Sequence, residues 1–338
     1  RVEWSLQMIG VFSENEKVKH EAARCGTAQL IGALAPALGT PKNCLFGVFT
    51  FLAKHGLIEN SPDVYGEMTR AGMAIIDKLG EKLVGTLLPI CEHFLSTLAD
   101  TEQNDRVREA FVIFVGGLAQ FLDFDSAPGR VISIIDRLVD TLDTPSRSVQ
   151  NSCAHYMTPI FAKIKKASLA GQNEAAALIN NYVEFLFAKV YQFKSSMVMR
   201  NGAAAGLAGI VLGLGTSALK KYSIIDRMEK KIRGKHPVFK QGTLFLISQF
   251  SSVLSSRFDA HVLNFLPHLL RCYGESSKEV RQVVTECTNI IMGNLSEFGA
   301  NLILQPIMKG LDDQATWRTK KGSIELLAAM VHCASKQL

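Results

Sequence analysis

Residues 105–121 read DRVREAFVIFVGGLAQF, and this stretch decides the fold because copies of it recur along the chain. Each copy has a short polar loop, an apolar residue and a cation, followed by a helical pattern with small residues on one face. The clear copies are MVMRNGAAAGLAGIVLGL (197–214), KEVRQVVTECTNIIMGNL (278–295) and ATWRTKKGSIELLAAM (315–330). A pattern that returns at a regular spacing predicts a repeat protein.

Weaker copies lie between the clear ones, at 16–34, 62–79, 147–161 and 237–250. The apolar residue of the eight copies falls at 18, 64, 107, 149, 199, 239, 280 and 317, so the spacings range from 37 to 50 residues. Another apolar helical stretch precedes each polar loop, and patterns typical of strands are missing. We therefore predict an all-α, HEAT/armadillo-type α-solenoid of about eight antiparallel helix pairs, continuous over residues 1–338.

The longest spacing, from 149 to 199, contains KIKKASLAGQNEAAALIN (163–180). Insertions between repeats usually form exposed loops. We expect a partly mobile connection near 166–173.

The recurrent cation needs a physical explanation, since a positive charge in the first turn opposes the helix dipole by about 0.3–1 kcal/mol. We expect a compensating partner, such as a turn carboxylate of the same or the preceding repeat. On this basis we assign six cations to the architecture of the repeat: Lys19, Arg108, Arg200, Lys240, Arg281 and Arg318.

Composition restricts the compartment. The seven cysteines are scattered and form no CxxC pair, which indicates reduced thiols in a cytosolic or nuclear protein. Residues 201–219 carry no charge, but their Gly, Ala, Ser, Thr and Asn content favours a buried helix over a membrane span. We find no signal-peptide pattern and no initiator Met, and expect a cytoplasmic fragment of a longer chain without a membrane partner.

Motifs typical of enzymes are missing from the sequence. There is no Walker GxxxxGK[ST], HExxH or GxSxG, and the glycines of GLAGIVLGLG (206–215) lack the GxGxxG spacing. The eight histidines form no cluster with metal-ligand spacing. We expect no catalytic residue, cofactor, metal ion or small-molecule substrate.

Positive charge is concentrated in one window. Residues 220–240 hold eight cations and two acids, a surplus equal to the net charge of +6 of the whole chain. Such a window could contact RNA phosphates or an acidic protein surface, or it could be a solvated helix face. The candidate contacts for a ribosome or another partner are Lys230, Lys231, Arg233 and Lys235, with Lys320 and Lys321 near the end of the chain.

The stretch TWRTKKGSIELLAAMVHCASKQL (316–338) resembles the start of a segment shared by fungal elongation factor 3 and the general control non-derepressible translational activators. RNGAAAGLAGIVLGLG (200–215), LPHLLRCYGESSKEVRQ (266–282) and LVDTLDTPSRSVQNS (138–152) resemble the activators specifically. Ala328 and Ser335 depart from the family pattern, which has Gly and Pro there. Residues 1–60 and the region near 166–175 match least clearly.

The resemblance implies a central HEAT-repeat region of a very large cytosolic protein that binds translating, and especially stalled, ribosomes. Such a protein is needed to activate the initiation-factor-2 alpha kinase in amino-acid starvation and the integrated stress response. The kinase-binding surface of the family lies outside this chain, and the ATPase cassettes of elongation factor 3 have no counterpart here. The implied partners are the ribosome (protein or rRNA), the kinase through other regions, and other translation-stress proteins.

Two classes of function compete, and an enzyme is a third class that the missing motifs disfavour. The first is a non-catalytic scaffold of a ribosome-associated translational activator. The second is a transport or assembly adaptor that binds extended protein partners, because repeat architecture alone does not determine function. Adaptors of that kind usually carry rows of Trp and Asn on their inner helices, whereas this chain has only Trp4 and Trp317.

Overall fold

The computed structural model describes residues 21–38, 42–58, 61–98, 102–312 and 317–333. Across these ranges the chain is helical and contains no strand. Contacts divide it into two compact units, residues 1–141 and 142–338. The all-α repeat fold predicted from the sequence is confirmed.

The unit of residues 1–141 contains α1 Glu21–Leu34, α2 Lys42–Phe51, α3 Pro62–Thr97, α4 Glu102–Ala119 and α5 Pro128–Thr141. Helix α3 is two helices joined at Leu83, where φ −121° and ψ 19° leave the helical region. The inner helices of the repeats in this unit are α1, the first half of α3, and α4. Both α1 and α4 pack against α3. A cluster of buried phenylalanines fills the core between them: Phe49, Phe94, Phe111 and Phe114.

The unit of residues 142–338 contains ten α-helices and one short 3-10 helix, Ser255–Phe258, in its described part. The α-helices are α6 Arg147–Leu169, α7 Asn173–Val190, α8 Met197–Leu214, α9 Ser217–Lys221, α10 Ile224–Ile232, α11 Pro237–Leu254, α12 Asp259–Cys272, α13 Lys278–Asn294, α14 Glu297–Lys309 and α15 Trp317–Cys333. Inner helices α6, α8, α11, α13 and α15 pack in this order, each against the next. Helices α7, α12 and α14, together with the short pair α9 and α10, form the second layer.

Serine caps explain where several inner helices begin. The hydroxyls of Ser146, Ser196 and Ser277 accept the backbone N–H of the residue three positions on, at 3.4, 3.2 and 3.3 Å. A capped N–H no longer lacks a partner, which stabilises a helix start by about 1 kcal/mol. The sequence pattern placed the apolar residue of these repeats correctly, but it did not identify the cap.

Helix α8 is the most deeply packed inner helix. Twelve of its 18 residues are buried, and a Cβ atom at Gly209 would lie 2.2 Å from the carbonyl oxygen of Ala154 on α6. At Gly213 the added Cβ would lie 2.3 Å from the carbonyl oxygen of Thr158. By length and apolar composition α8 could cross a membrane, but 67% of it is buried inside the protein, as expected for a core helix.

A partly mobile connection was expected near 166–173, but the structure has a longer helix and a short turn there. Helix α6 continues to Leu169, and a turn of three residues, 170–172, leads into α7. Gly171 takes a φ of +98° in this turn. The extra residues of the longest repeat lengthen α6 to 23 residues instead of forming a loop.

Candidate partner-binding surface

The six cations assigned to the repeat use different partners. Arg108 pairs with Asp105 of the same repeat at 3.5 Å and donates to the carbonyl of Leu98. Lys240 pairs with Glu275, a turn carboxylate of the following repeat and not, as expected, of the same or the preceding one. Lys19 lies outside the described residues, as does the side chain of Arg318.

Arg200 and Arg281 show a second solution, which is a bond to backbone carbonyls. Arg200 is buried and donates to the carbonyl of Ser195 (2.7 Å) and to Oε1 of Gln241 (2.6 Å). Arg281 donates to the carbonyls of Glu275 (2.5 Å) and Ser276 (2.8 Å). These carbonyls belong to the loop before the helix that carries the cation. Arg200 and Arg281 therefore donate to loop carbonyls, whereas Arg108 donates to a carbonyl and also pairs with a carboxylate.

Arg200 differs from the other described repeat cations because it is buried. Burial lowers the pKa of its guanidinium from the ordinary value, and its Nε has no hydrogen-bond partner. In the repeat that begins near 147, Gln150 occupies the equivalent place and donates to the carbonyls of Leu142 (3.1 Å) and Thr144 (2.8 Å). The position therefore requires a donor, and a cation is one way to supply it.

The basic window folds into a short amphipathic helix. In α10, Ile224, Met228 and Ile232 are buried at spacings of four residues, so one face packs on α11 and α12. The cations Lys230, Arg233 and Lys235 are exposed and Lys231 is half-buried. Arg233 pairs with Glu229 at 3.3 Å. Over the described ranges, no carboxylate lies within ion-pair distance of Lys230 or Lys235.

Aromatic rings from α7, from the loop that follows it and from the start of α11 contact the cations of α10. Nζ of Lys231 lies 4.3 Å from the ring centroid of Phe239 and 5.3 Å from that of Tyr191. The guanidinium carbon of Arg227 lies 3.8 Å from the ring centroid of Phe187. Both oxygens of Glu184 accept from Arg227, at 2.7 and 2.8 Å, and hold this guanidinium over the ring.

We call this region the aromatic–basic surface; it consists of Phe187, Tyr191, Phe193, Arg227, Lys230, Lys231 and Phe239, around a cavity of about 420 Å³. Phe187 and Tyr191 are buried and form its floor, whereas Phe193 is 59% exposed. Burial raises the pKa of Tyr191, whose hydroxyl lies 3.1 Å from Oγ1 of Thr243, so the ring is neutral. The sequence pattern found the cations of this surface but missed Phe187, Tyr191 and Phe193, which lie about 40 residues earlier.

The predicted pair Lys320 and Lys321 stands elsewhere, on α15. Lys321 lies 3.9 Å from Glu325 on the same helix, and Lys320 is half-buried with a partner of its own. Helix α15 contacts α12, α13 and α14, whereas α10 contacts α9, α11 and α12. The structure does not join these two lysines to the aromatic–basic surface.

A second concave feature lies on the inner helices of the unit of residues 142–338. A cavity of about 310 Å³ spans α6, α8, α11 and α13. It is lined by the amides of Asn151, Asn201 and Gln249, and Asn201 donates to Gln150 at 2.8 Å. Arg147 and Glu286, on α6 and α13, pair at 2.8 Å beside it. This short row of amides was not identified from the sequence.

The described residues contain no group of three or more His, Cys, Asp or Glu side chains placed to hold a metal ion. Burial raises the pKa of the Cys272 and Cys287 thiols to about 12, so both stay protonated at neutral pH. A protonated, buried thiol is a poor nucleophile.

Two family models match separate parts of the chain. The HEAT repeats of the stalled ribosome sensor GCN1 match residues 3–120, and the N-terminal HEAT repeat of elongation factor 3 (EF3) matches residues 200–338. The second match is longer than the segment 316–338 predicted to resemble elongation factor 3.

Curated relatives match nearly the whole chain. The eIF-2-alpha kinase activator GCN1 of Dictyostelium discoideum is 35% identical over 93% of this chain and 11% of its own length. The stalled ribosome sensor GCN1 of Homo sapiens is 33% identical over 98% of this chain and 12% of its own length. The chain thus spans about an eighth of these relatives.

The solved structures add the fold. A crystal structure of a Kap121p mutant matches with a TM-score of 0.52 at 15% identity, covering 98% of this chain and 34% of that one. At this identity the match concerns the helical-repeat architecture alone.

Proposed function

Because the chain belongs to the GCN1 family of HEAT-repeat proteins, we propose that it is a scaffold segment of a ribosome-associated activator of the initiation-factor-2 alpha kinase. The observation that carries this proposal is the 33–35% identity to an eIF-2-alpha kinase activator and a stalled ribosome sensor over almost the entire chain. The segment acts in the cytoplasm, without catalysis, in the response to amino-acid starvation and ribosome stalling.

In this role the repeats form one continuous array, and the ribosome is the direct partner. The kinase and other translation-stress proteins bind other regions of the complete protein. The aromatic–basic surface and the neighbouring Arg233 and Lys235 supply the contact. Lys230 and Lys235 are exposed and have no carboxylate partner among the described residues, so they attract phosphate or acidic groups. Lys320 and Lys321 are a second, weaker candidate, since Lys321 already has Glu325 as a partner.

Charge reversal tests the contact. In the complete protein, Lys230, Lys231, Arg233 and Lys235 are changed together to Glu, and co-sedimentation with ribosomes is measured over a series of salt concentrations. We expect weaker binding and a smaller dependence on salt, because counterion release contributes less.

The matched control changes four exposed lysines on other helices, Lys78, Lys82, Lys278 and Lys309, to Glu, which gives the same change in net charge. If the two variants sediment with ribosomes equally well, the aromatic–basic surface is not the contact.

The amide row is the observation that favours the second candidate function, an adaptor for extended protein partners. Amide side chains both donate and accept, as a peptide backbone requires. The relatives of this chain favour the scaffold role instead. Substituting Asn151, Asn201 and Gln249 by Ala tests the adaptor role: loss of a bound protein partner with unchanged ribosome binding would support it.

A further inference from the structure

We propose that the aromatic–basic surface binds single-stranded RNA, with an unpaired base stacked on Phe193 and the adjoining phosphates on Lys230 and on Lys235, which lies outside the surface next to His236. This proposal rests on the proposed function, because it names the chemical class of the ribosomal partner. It goes beyond the proposed function by assigning Phe193 as the residue on which the base stacks.

The exposure of Phe193 is the first observation. The residue lies in the short loop between α7 and α8, and its ring is 59% exposed although the buried rings of Phe187 and Tyr191 line the same cavity. Its ring centroid lies 4.6 Å from that of His236 and 5.4 Å from that of Phe239. A phenylalanine that only filled the core would be buried like Phe187.

The loop that carries Phe193 is held in place. The carbonyl of Ser195 accepts from the buried Arg200 at 2.7 Å, and the N–H of Ser195 donates to the carbonyl of Gln192 at 3.3 Å. The neighbouring ring of His236 is also fixed, because its Nδ1 accepts the N–H of Val238 at 3.2 Å. A ring that is already ordered loses little conformational entropy when a ligand stacks on it.

The charge around the cavity is the second observation. Its lining contains three cations and four aromatic residues and no acid. Glu184 neutralises Arg227, whereas Lys230 has no carboxylate partner in the part of the chain that the structure describes. The volume of about 420 Å³ falls in the range of roughly 300–1,000 Å³ that is typical of ligand-binding clefts.

These two features together favour single-stranded RNA over an acidic protein. An acidic protein surface needs the cations but has no use for an exposed ring, while unpaired bases stack on aromatic side chains next to cations that hold the backbone. Duplex RNA is disfavoured because its bases are already stacked on each other and are not available to Phe193.

The experiment measures binding of the 338-residue chain to a 12-nucleotide single-stranded RNA that carries 2-aminopurine at its centre. Stacking quenches the fluorescence of 2-aminopurine, so this signal reports contact with a ring. A 12-base-pair RNA duplex and a poly-glutamate peptide are the competing ligands. We expect quenching with the single strand, and weaker binding of both competitors.

Phe193→Ala is expected to weaken binding of the single strand about 5- to 150-fold and to abolish the quenching. Phe193→Tyr keeps a ring and should restore both. The matched control is Phe298→Ala, which removes another exposed phenylalanine of the same unit (71% exposed) and should change neither. Lys230→Ala should lower the salt dependence by about one counterion and leave the quenching in place.

Three results would overturn the proposal: equal binding by Phe193→Ala and Phe298→Ala, a preference for the duplex, or binding of poly-glutamate without binding of RNA. The ribosome sedimentation test separates this failure from that of the proposed function. If charge reversal weakens ribosome binding but Phe193→Ala does not weaken RNA binding, the ribosome contact stands and the stacking is wrong.

Discussion

Helices α8 and α10 belong to the same repeat but face different surroundings. Helix α8 is packed by α6, α7 and α11, and its one charged side chain, Arg200, is buried. Helix α10 buries one row of apolar residues, and exposed or half-buried cations occupy its other faces. The comparison shows how one repeat divides its roles: the inner helix is restricted by packing, and the outer helix leaves a surface for a partner.

The strongest test of the restriction on α8 is Gly209→Ala. The added Cβ would lie 2.2 Å from the carbonyl oxygen of Ala154, and backbone cannot move aside cheaply. We expect a loss of about 3 kcal/mol in the free energy of unfolding, measured by denaturant titration. The matched control is Gly293→Ala on α13, where no atom lies within 4 Å of the added Cβ.

For Gly293→Ala we expect a gain of up to about 1 kcal/mol from higher helix propensity. If the two variants had similar free energies of unfolding, α6 and α8 would not be in close contact. The proposed difference between a tightly packed α8 and an open α10 would then be wrong.

Arg200→Ala tests the buried charge of α8. The substitution leaves the Ser195 carbonyl and the Gln241 side chain without their donor, and we expect a loss of about 2 kcal/mol in unfolding free energy. Arg281→Ala is the comparison: this arginine bonds two loop carbonyls but is only half-buried, so water can replace it at a cost of about 1 kcal/mol. Equal losses in the two variants would show that burial does not decide the value of the repeat cation.

The smallest effect concerns pH. His268 on α12 has a pKa below its ordinary value, mainly because of burial and also because of the charges of Arg233 and Arg271, with Glu229 opposing the shift. The unfolded chain therefore takes up this proton at higher pH, near the ordinary value of about 6.5, than the folded chain does. Stability should decline as the pH falls below about 6.5 and level off below the folded pKa.

His268→Gln should make this decline shallower, as measured by thermal unfolding between pH 7.5 and 5. Arg233→Gln removes one of the charges that lower the pKa of His268. The pKa of the folded chain then moves toward its ordinary value, so this substitution should also make the decline in stability shallower. If neither substitution changes the pH profile, His268 does not contribute to the pH dependence of stability, and the charge of Arg233 beside α10 has no effect there.

Much of the fold could be read from periodicity. The apolar residue of the pattern is the third residue of α6, α8, α11 and α13 (Val149, Met199, Phe239 and Val280). Val149 and Val280 are buried, whereas Met199 and Phe239 are half-buried. The pattern predicts these helix starts because a cap and the apolar residue that follows it both depend on local sequence. The join at Leu83 and the short turn at 170–172 were missed, since local sequence does not determine how long a helix continues past its repeat.

The candidate surface was only partly predictable. Its cations are clustered in the sequence and were identified there, and Phe239 lies in the same window, but the other three rings come from α7 and the loop before α8. Phe187 and Arg227 are 40 residues apart in the chain and in contact in space. Contacts at that separation follow from the packing of α10 beside α7, not from a local pattern.

The sequence by itself determined the helical repeat, the family and the position of the excess positive charge, because each of these depends on residue order or on local helix formation. Only the tertiary structure decided which cations have partners and which rings lie beside them. Arg200 became a buried donor to a loop carbonyl, while Lys230 and Lys235 stayed exposed. The physical reason is that burial and pairing depend on the neighbouring helices, and these come from distant parts of the chain.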